Sequence, residues 1–184
     1  EFDVGSLERS PTRGAGPFED FSYIFTGCRY EETKDATYMD QKAYISASIH
    51  PYPAEADSQK YASVLGGAMW ITRCRPELKG RCSRLSKGQI EPTQDDHTGL
   101  RQMVKHVLKT KHYRRKLAKL TGPLDVVAWA DASFGNAEGD KSRGGYVIAL
   151  RDGTGATAIV DVVGRALKRV TGSTFDAECL ATLA

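Results

Sequence analysis

The chain lacks any apolar run near the roughly 18 residues that a membrane-crossing helix needs, so no such anchor is expected in its 184 residues. No secretory leader is expected either, since the opening EFDVGSLERS carries acids and no apolar core. Cysteine is sparse, and Cys28, Cys74, Cys82 and Cys179 are scattered. Cys74 and Cys82 have no second close pair to complete a zinc site, so free thiols in a reducing, intracellular compartment are expected. Internal repeats and low-complexity tracts are missing too. The first residue is glutamate, not methionine, which makes a partial or processed chain the expectation. A 40% hydrophobic and 27% charged composition is ordinary for a soluble globular protein.

Acid is missing from one stretch in particular. Residues 101–120, RQMVKHVLKTKHYRRKLAKL, hold eight Lys or Arg and no Asp or Glu. Such a run can track a phosphate backbone by releasing counterions, or it can be the solvated face of a helix. Arg101, Lys105, Lys109, Lys111, Arg114 and Arg115 are its candidate nucleic-acid contacts. Tyr113 is a packed or a base-stacking aromatic. His97, His106 and His112 are spaced so that they share no helical face, and they read as surface or packing residues.

Residues 1–17 read as loop, rich in Gly, Ser, Pro and Arg. Phe18 to Tyr38 suggests two short strands, with FSYIF as the first. MDQKAYISASI (39–49) then looks helical, stopped by Pro51 and Pro53. A second helix spans Ser58 to about Thr72, with Tyr61, Val64, Leu65, Ala68 and Met69 at helical spacing. Glu77 to Ser86 forms a short helix ending at Lys87-Gly88. A third helix starts at Thr93, where Thr93 and Asp96 fit a capping box. Leu100, Met103, Val104, Val107 and Leu108 supply its apolar face, and its bases run towards Leu120. Thr121-Gly122-Pro123 forms a break. Beyond it come three strands, LDVVAWADASF, RGGYVIALRDG and ATAIVDVVGRAL, and then the helix STFDAECLATLA. This gives an α+β chain in two parts, residues 1–120 and 124–184.

Asp131 is the outstanding residue of the second part, a carboxylate set in a strongly β-forming apolar run. Acids in such positions are paired, bound to a metal or bonded to backbone amides at a strand end. On the last helix, Phe175, Cys179, Leu180 and Leu183 define the apolar face, and Asp176 falls within it at least as well as Glu178. Ser173 to Asp176 fits a capping box, giving Asp176 a local role. Asp140, Asp152 and Asp161 read as turn or surface acids.

Two stretches resemble the Pol polyprotein of copia-type retrotransposons. YASVLGGAMWITRCRPEL (61–78), followed by PTQDDHTGLRQMVKHVLKT (92–110) and preceded by GCRYEETKDATYMDQKAYI (27–45), is similar to the thumb-like C-terminal part of a reverse transcriptase. The family's Thr-Arg-Pro-Asp-Ile stands here as Cys74-Arg75-Pro76-Glu77-Leu78. WADASFGNAEGDKSRGGYVIAL (129–150), with TFDAECLA (174–181), resembles the first half of the family's ribonuclease H domain. Asp131 matches the first catalytic Asp, Lys141 to Tyr146 the Lys-Ser-Thr-Ser-Gly-Tyr motif, and Glu178 the catalytic Glu of Thr-Glu-Ala-Glu-Tyr. Ser133 and Phe134 depart from the family's Asp and Trp.

The resemblance implies a helical thumb- or connection-like segment, then an incomplete ribonuclease H-like mixed sheet carrying one helix. It implies two Mg²⁺ ions about 4 Å apart in the parent enzyme, clamping the attacking and leaving oxygens of a phosphodiester. Asp131 would bridge the ions, and Glu178 would hold one of them if its helix packs over the sheet. The partners implied are an RNA·DNA hybrid and the rest of the polyprotein, in a cytoplasmic particle or the nucleus. The polymerase aspartates and the third ribonuclease H carboxylate have no counterpart in the sequence, so the isolated chain is expected to be inactive. One alternative is a non-catalytic nucleic-acid-binding remnant of a retroelement, and another is a poorly folding relic.

Overall fold

The computed structural model describes residues 8–9, 21–55, 57–135 and 141–182. The expectations for the rest of residues 1–17, for the start of the first strand at 18–20, and for Asp140 and Leu183 lie outside the described residues. The first sheet is antiparallel and five-stranded, in the order β1 (Glu8–Arg9), β2 (Phe21–Phe25), β3 (Cys28–Glu32), β4 (Ala36–Asp40), β5 (Arg115–Ala118). Thr26 and Gly27, both at positive φ, turn β2 into β3, the backbone a two-residue hairpin requires. The second sheet is β6 (Leu124–Ser133), β7 (Lys141–Asp152), β8 (Thr157–Val170), antiparallel throughout. Among the described residues it is therefore not the expected mixed sheet, because its three strands are joined by two hairpins.

Between the β4 and β5 strands lie α1 (Lys42–Ser48), α2 (Ser58–Ile71), α3 (Lys79–Leu85) and α4 (Gln94–Lys109); α5 (Thr174–Thr182) follows β8. Three strands, β2 to β4, stand between residues 21 and 40 where two were expected, and the expected connection EETKDAT is itself partly in β3 and β4. Met39 and Asp40 close a strand instead of opening a helix, since Ala36 to Met39 pair with Arg115 to Ala118.

The main core is helical, and the 3.6-residue period builds it. Tyr61, Leu65 and Ala68 of α2 meet Leu100, Met103, Val104 and Val107 of α4, with Leu78, Cys82 and Leu85 closing one side. Tyr61 is fully buried, its hydroxyl donates to the Leu85 carbonyl at 2.7 Å, and burial pushes its pKa up to about 12. The Thr93–Asp96 capping box is formed in both directions. His97 is 2% exposed and packs against Tyr52 and Tyr61, with its Nδ1 2.7 Å from the Tyr52 hydroxyl. Met69, expected on the apolar face of α2, is exposed.

A smaller cluster of Cys28, Met39 and Cys74, with Tyr30 and Leu117, fastens the first sheet beneath the end of α2. All four cysteines are free thiols. The neighbouring Cys28 thiol and burial push the pKa of the Cys74 thiol up, so it stays protonated. Burial likewise raises Cys82 to about 11.

The two sheets meet where α3 comes up against β8. A Cβ on Gly164 would lie 3.2 Å from the Gly80 Cα, so two facing glycines set the distance of approach. Lys79 reaches the Asp161 carboxylate and the Val162 carbonyl, and Arg143 reaches Ser83 and the Gly80 carbonyl. Arg115 ties β5 to the Ile159 carbonyl of β8. Gly164→Val should push α3 off the sheet and cost about 1–3 kcal/mol; the urea midpoint measures it, and an unchanged midpoint would show that the glycine contact sets nothing.

Asp152 is a turn residue, as expected, but it is 4% exposed and not at the surface. It accepts from the Thr154 hydroxyl and amide, the Ala156 amide and the Thr121 amide at 2.6 to 3.1 Å. The Thr154 hydroxyl, then the Thr121 amide, hold its pKa down at about 2. Its folded pKa is below the unfolded value near 3.9, so its stabilisation is present above about pH 4 and is lost as pH falls towards 2. Asp152→Asn should therefore be less stable than the parent at neutral pH, with the gap closing between about pH 4 and 2 in thermal melts.

Candidate functional site

The long β6 strand is made by β-branched and aromatic residues, and its pairing with β7 is unbroken from Leu124↔Asp152 to Ser133↔Arg143. Side chains opposite one another in an antiparallel pair share a face, and neighbours along a strand alternate. Asp131 stands opposite Gly145, and Gly145 opposite Gly164. The Gly164 position faces Gly80 of α3. Asp131 therefore lies on the face turned towards α3, with an exposed side chain.

The opposite face carries α5. A Cβ on Gly144 would come within 3.0 Å of the Ala181 Cβ and 2.8 Å of Leu167. Ala177 and Ala181 are the buried residues of α5, while Phe175 is 74% exposed and Cys179 is also exposed. This corrects the expected apolar face: small side chains, not large ones, let the helix lie close on the Gly144 strand. The Asp176 amide donates to the Ser173 hydroxyl at 3.1 Å, so Ser173 caps the helix as expected. Ser142, fully buried, accepts from the Gly135 amide and shares a 2.6 Å hydrogen bond with Thr171, pinning the helix entry to the end of the β6–β7 hairpin.

Helix α5 does pack over the sheet, yet Asp131 and Glu178 do not face each other. Glu178 is half-buried on the helix side and Asp131 is on the other side of the strand. The required alternation explains it: the odd-numbered residues of β6 all point away from the face that Gly144 and Ala181 close.

The basic run divides in two. α4 ends at Lys109, where the Thr110 amide and hydroxyl both bond back to the His106 carbonyl. Lys111 lies in the following turn, Arg114 just before β5, and Arg115 in β5. The single helix expected up to residue 120 gives way because Arg115 to Ala118 complete the edge of the first sheet.

Half of the six candidate cations have structural partners. Arg101 donates to the carbonyls of Pro53 and Ala54 at 2.9 to 3.4 Å. Arg114 pairs with Glu31 and lies 4.3 Å above the Tyr38 ring. Arg115 holds the Arg73 and Ile159 carbonyls. Among the described residues, no hydrogen bond or ion pair occupies Lys105, Lys109 or Lys111, and Lys105 and Lys109 are exposed one helical turn apart. Sequence spacing alone missed Arg75, whose guanidinium is buried between Glu77, His106 and Tyr113. It donates to the Thr110 carbonyl in the turn that presents Lys111, and Tyr113, still 46% exposed, lies with its ring against it.

Arg101→Ala should lower stability by about 1 kcal/mol by leaving two loop carbonyls without their donor, whereas Lys105→Ala should leave the unfolding midpoint unchanged. Denaturant titration separates the two, and equal effects would refute the division into structural and free cations. Compared with models of known protein families and with curated proteins, the chain matches none.

Proposed function

We propose that the chain is a segment of a copia-type retrotransposon polyprotein, spanning the thumb- or connection-like end of a reverse transcriptase and the first half of a ribonuclease H domain. One observation carries this reading: a three-stranded antiparallel meander is followed at once by a helix laid across it, with Asp131 on the first strand and Glu178 on the helix. That order agrees with the resemblance of the second part of the sequence. The parent enzyme's reactions would be RNA-directed DNA synthesis and Mg²⁺-dependent cleavage of RNA in hybrids.

The chain's own part in this is to bind. Lys105 and Lys109 on α4 and Lys111 beyond it offer free charge to a phosphate backbone, which recognises shape and charge and not base sequence. Two Mg²⁺ ions would require carboxylates converging on one side of the sheet. Asp131 and Glu178 lie on opposite sides, so the donor set of this chain does not fit the pair of ions and no hydrolytic step is assigned to it.

The reading as a nucleic-acid-binding segment predicts that binding to an RNA·DNA hybrid weakens with salt. The slope of log Kobs against log salt should fall by roughly 0.7–0.9 for each of Lys105→Ala and Lys109→Ala. Fluorescence anisotropy over a salt series measures it, and salt-independent binding or none would remove this reading. Incubated with Mg²⁺ and a labelled hybrid, the chain should release no product; cleavage that Asp131→Asn abolishes would overturn the assignment of inactivity.

A further inference from the structure

The face of the second sheet that α5 leaves open is a built trough. Three cross-strand rows run side by side over it. Trp129, Val147 and Val162 form an apolar wall. Asp131, Gly145 and Gly164 form the middle row, so the space beside the carboxylate has a floor of bare backbone. A Cβ at Gly145 would fall 2.6 Å from the Val163 carbonyl oxygen, and one at Gly164 would meet Gly80, so neither floor position accepts a side chain without movement. Ser133 and Arg143 form the third row. Gly80 of α3 closes one end, and the cavity measures about 460 Å³, within the range of small-ligand sites.

The chemistry of the rows is unlike. Trp129 is 53% exposed although it sits in a sheet, which presents a flat aromatic surface beside the floor. Asp131 lies two residues along the same strand, roughly 7 Å away, and among the described residues no hydrogen bond or ion pair engages its carboxylate. On the far side Arg143 holds the Gly80 carbonyl and the Ser83 hydroxyl of α3 through Nη2 alone, and among the described residues no hydrogen bond or ion pair engages the rest of its guanidinium fork. A ligand that complements all three rows has a flat ring, a pair of hydrogen-bond donors on the ring's edge and an anionic group. A carboxylate takes two parallel donors best, and guanine presents such a pair at N1 and N2, whereas adenine and cytosine each offer one amino group. Aromatic rings stack on bases of either kind.

We infer that this trough binds one guanine nucleotide unit, with the base against Trp129, its donor edge on Asp131 and its phosphate towards Arg143. The unit is either a free mononucleotide or an unpaired residue of a single strand. This inference does not rest on the retroelement reading, since it needs neither a hybrid nor a metal ion.

The chain has two tryptophans, so in Trp70→Phe the emission reports on Trp129 alone. In EDTA, the titrants are guanosine monophosphate, adenosine monophosphate and a short single-stranded RNA with one central guanosine. Saturable quenching by guanosine monophosphate, at least tenfold tighter than by adenosine monophosphate and weakened at least tenfold by Asp131→Asn, is expected. If only the RNA saturates, with the same loss in Asp131→Asn, the site takes a unit of a strand. No saturation by either, or affinity that Asp131→Asn leaves unchanged, overturns the inference. Equilibrium dialysis of labelled guanosine monophosphate and of the labelled RNA against the unsubstituted chain, Asp131→Asn and Trp129→Leu reads the same outcomes without touching Trp70.

Discussion

The β6–β7 register decides what the second half of this protein can do. Ten consecutive pairs leave no slip between Leu124 and Ser133. A slip of one residue would exchange the two faces completely, bringing Asp131 under α5 and Trp129 with it. The register is held at both ends by polar anchors. Asp152 closes the β7–β8 turn and binds the Thr121 amide just ahead of β6. Ser142 catches the Gly135 amide just past it. Alternation then does the rest: small residues, Ala130, Ala132 and Gly144, fall on the helix side, and Trp129, Asp131 and Arg143 on the other.

Much of this fold was legible in the sequence, and the legible parts share a physical basis. The apolar faces of α2 and α4, the Thr93 cap and the three strands after Pro123 rest on local periodicity and local hydrogen bonds, which a single stretch of chain specifies. What was not legible depends on partners distant along the chain. β5 is short and begins with two bases, and it exists as a strand because β4, some 80 residues earlier in the sequence, supplies its backbone bonds. That pairing also ends the basic helix early. The face of α5 could not be read from hydrophobicity, because close packing against Gly144 selects Ala177 and Ala181 over Phe175.

The candidate site was legible by residue type and not by geometry. The sequence singled out Asp131 and Glu178, but a strand residue's side of the sheet depends on pairing, and the helix's side depends on the connection that follows β8. Neither is encoded locally. The charges divide on similar grounds. Arg101, Arg114 and Arg115 look identical in the sequence to Lys105 and Lys109, yet the forked guanidinium satisfies carbonyls and carboxylates that a lysine ammonium serves less well. Here the arginines are largely cement and the lysines largely surface.

The Ser142–Thr171 hydroxyl pair has a mechanical consequence. Ser142 sits at the tip of the hairpin that bears the open face, and Thr171 at the foot of the helix on the other face. Both hydroxyls are buried, so separating them would strand two polar groups away from water. The hairpin tip and the helix foot are thus hinged to a common pin. Any tilt of the hairpin tip on one side of the sheet is carried through it, as by a lever, to the helix on the other.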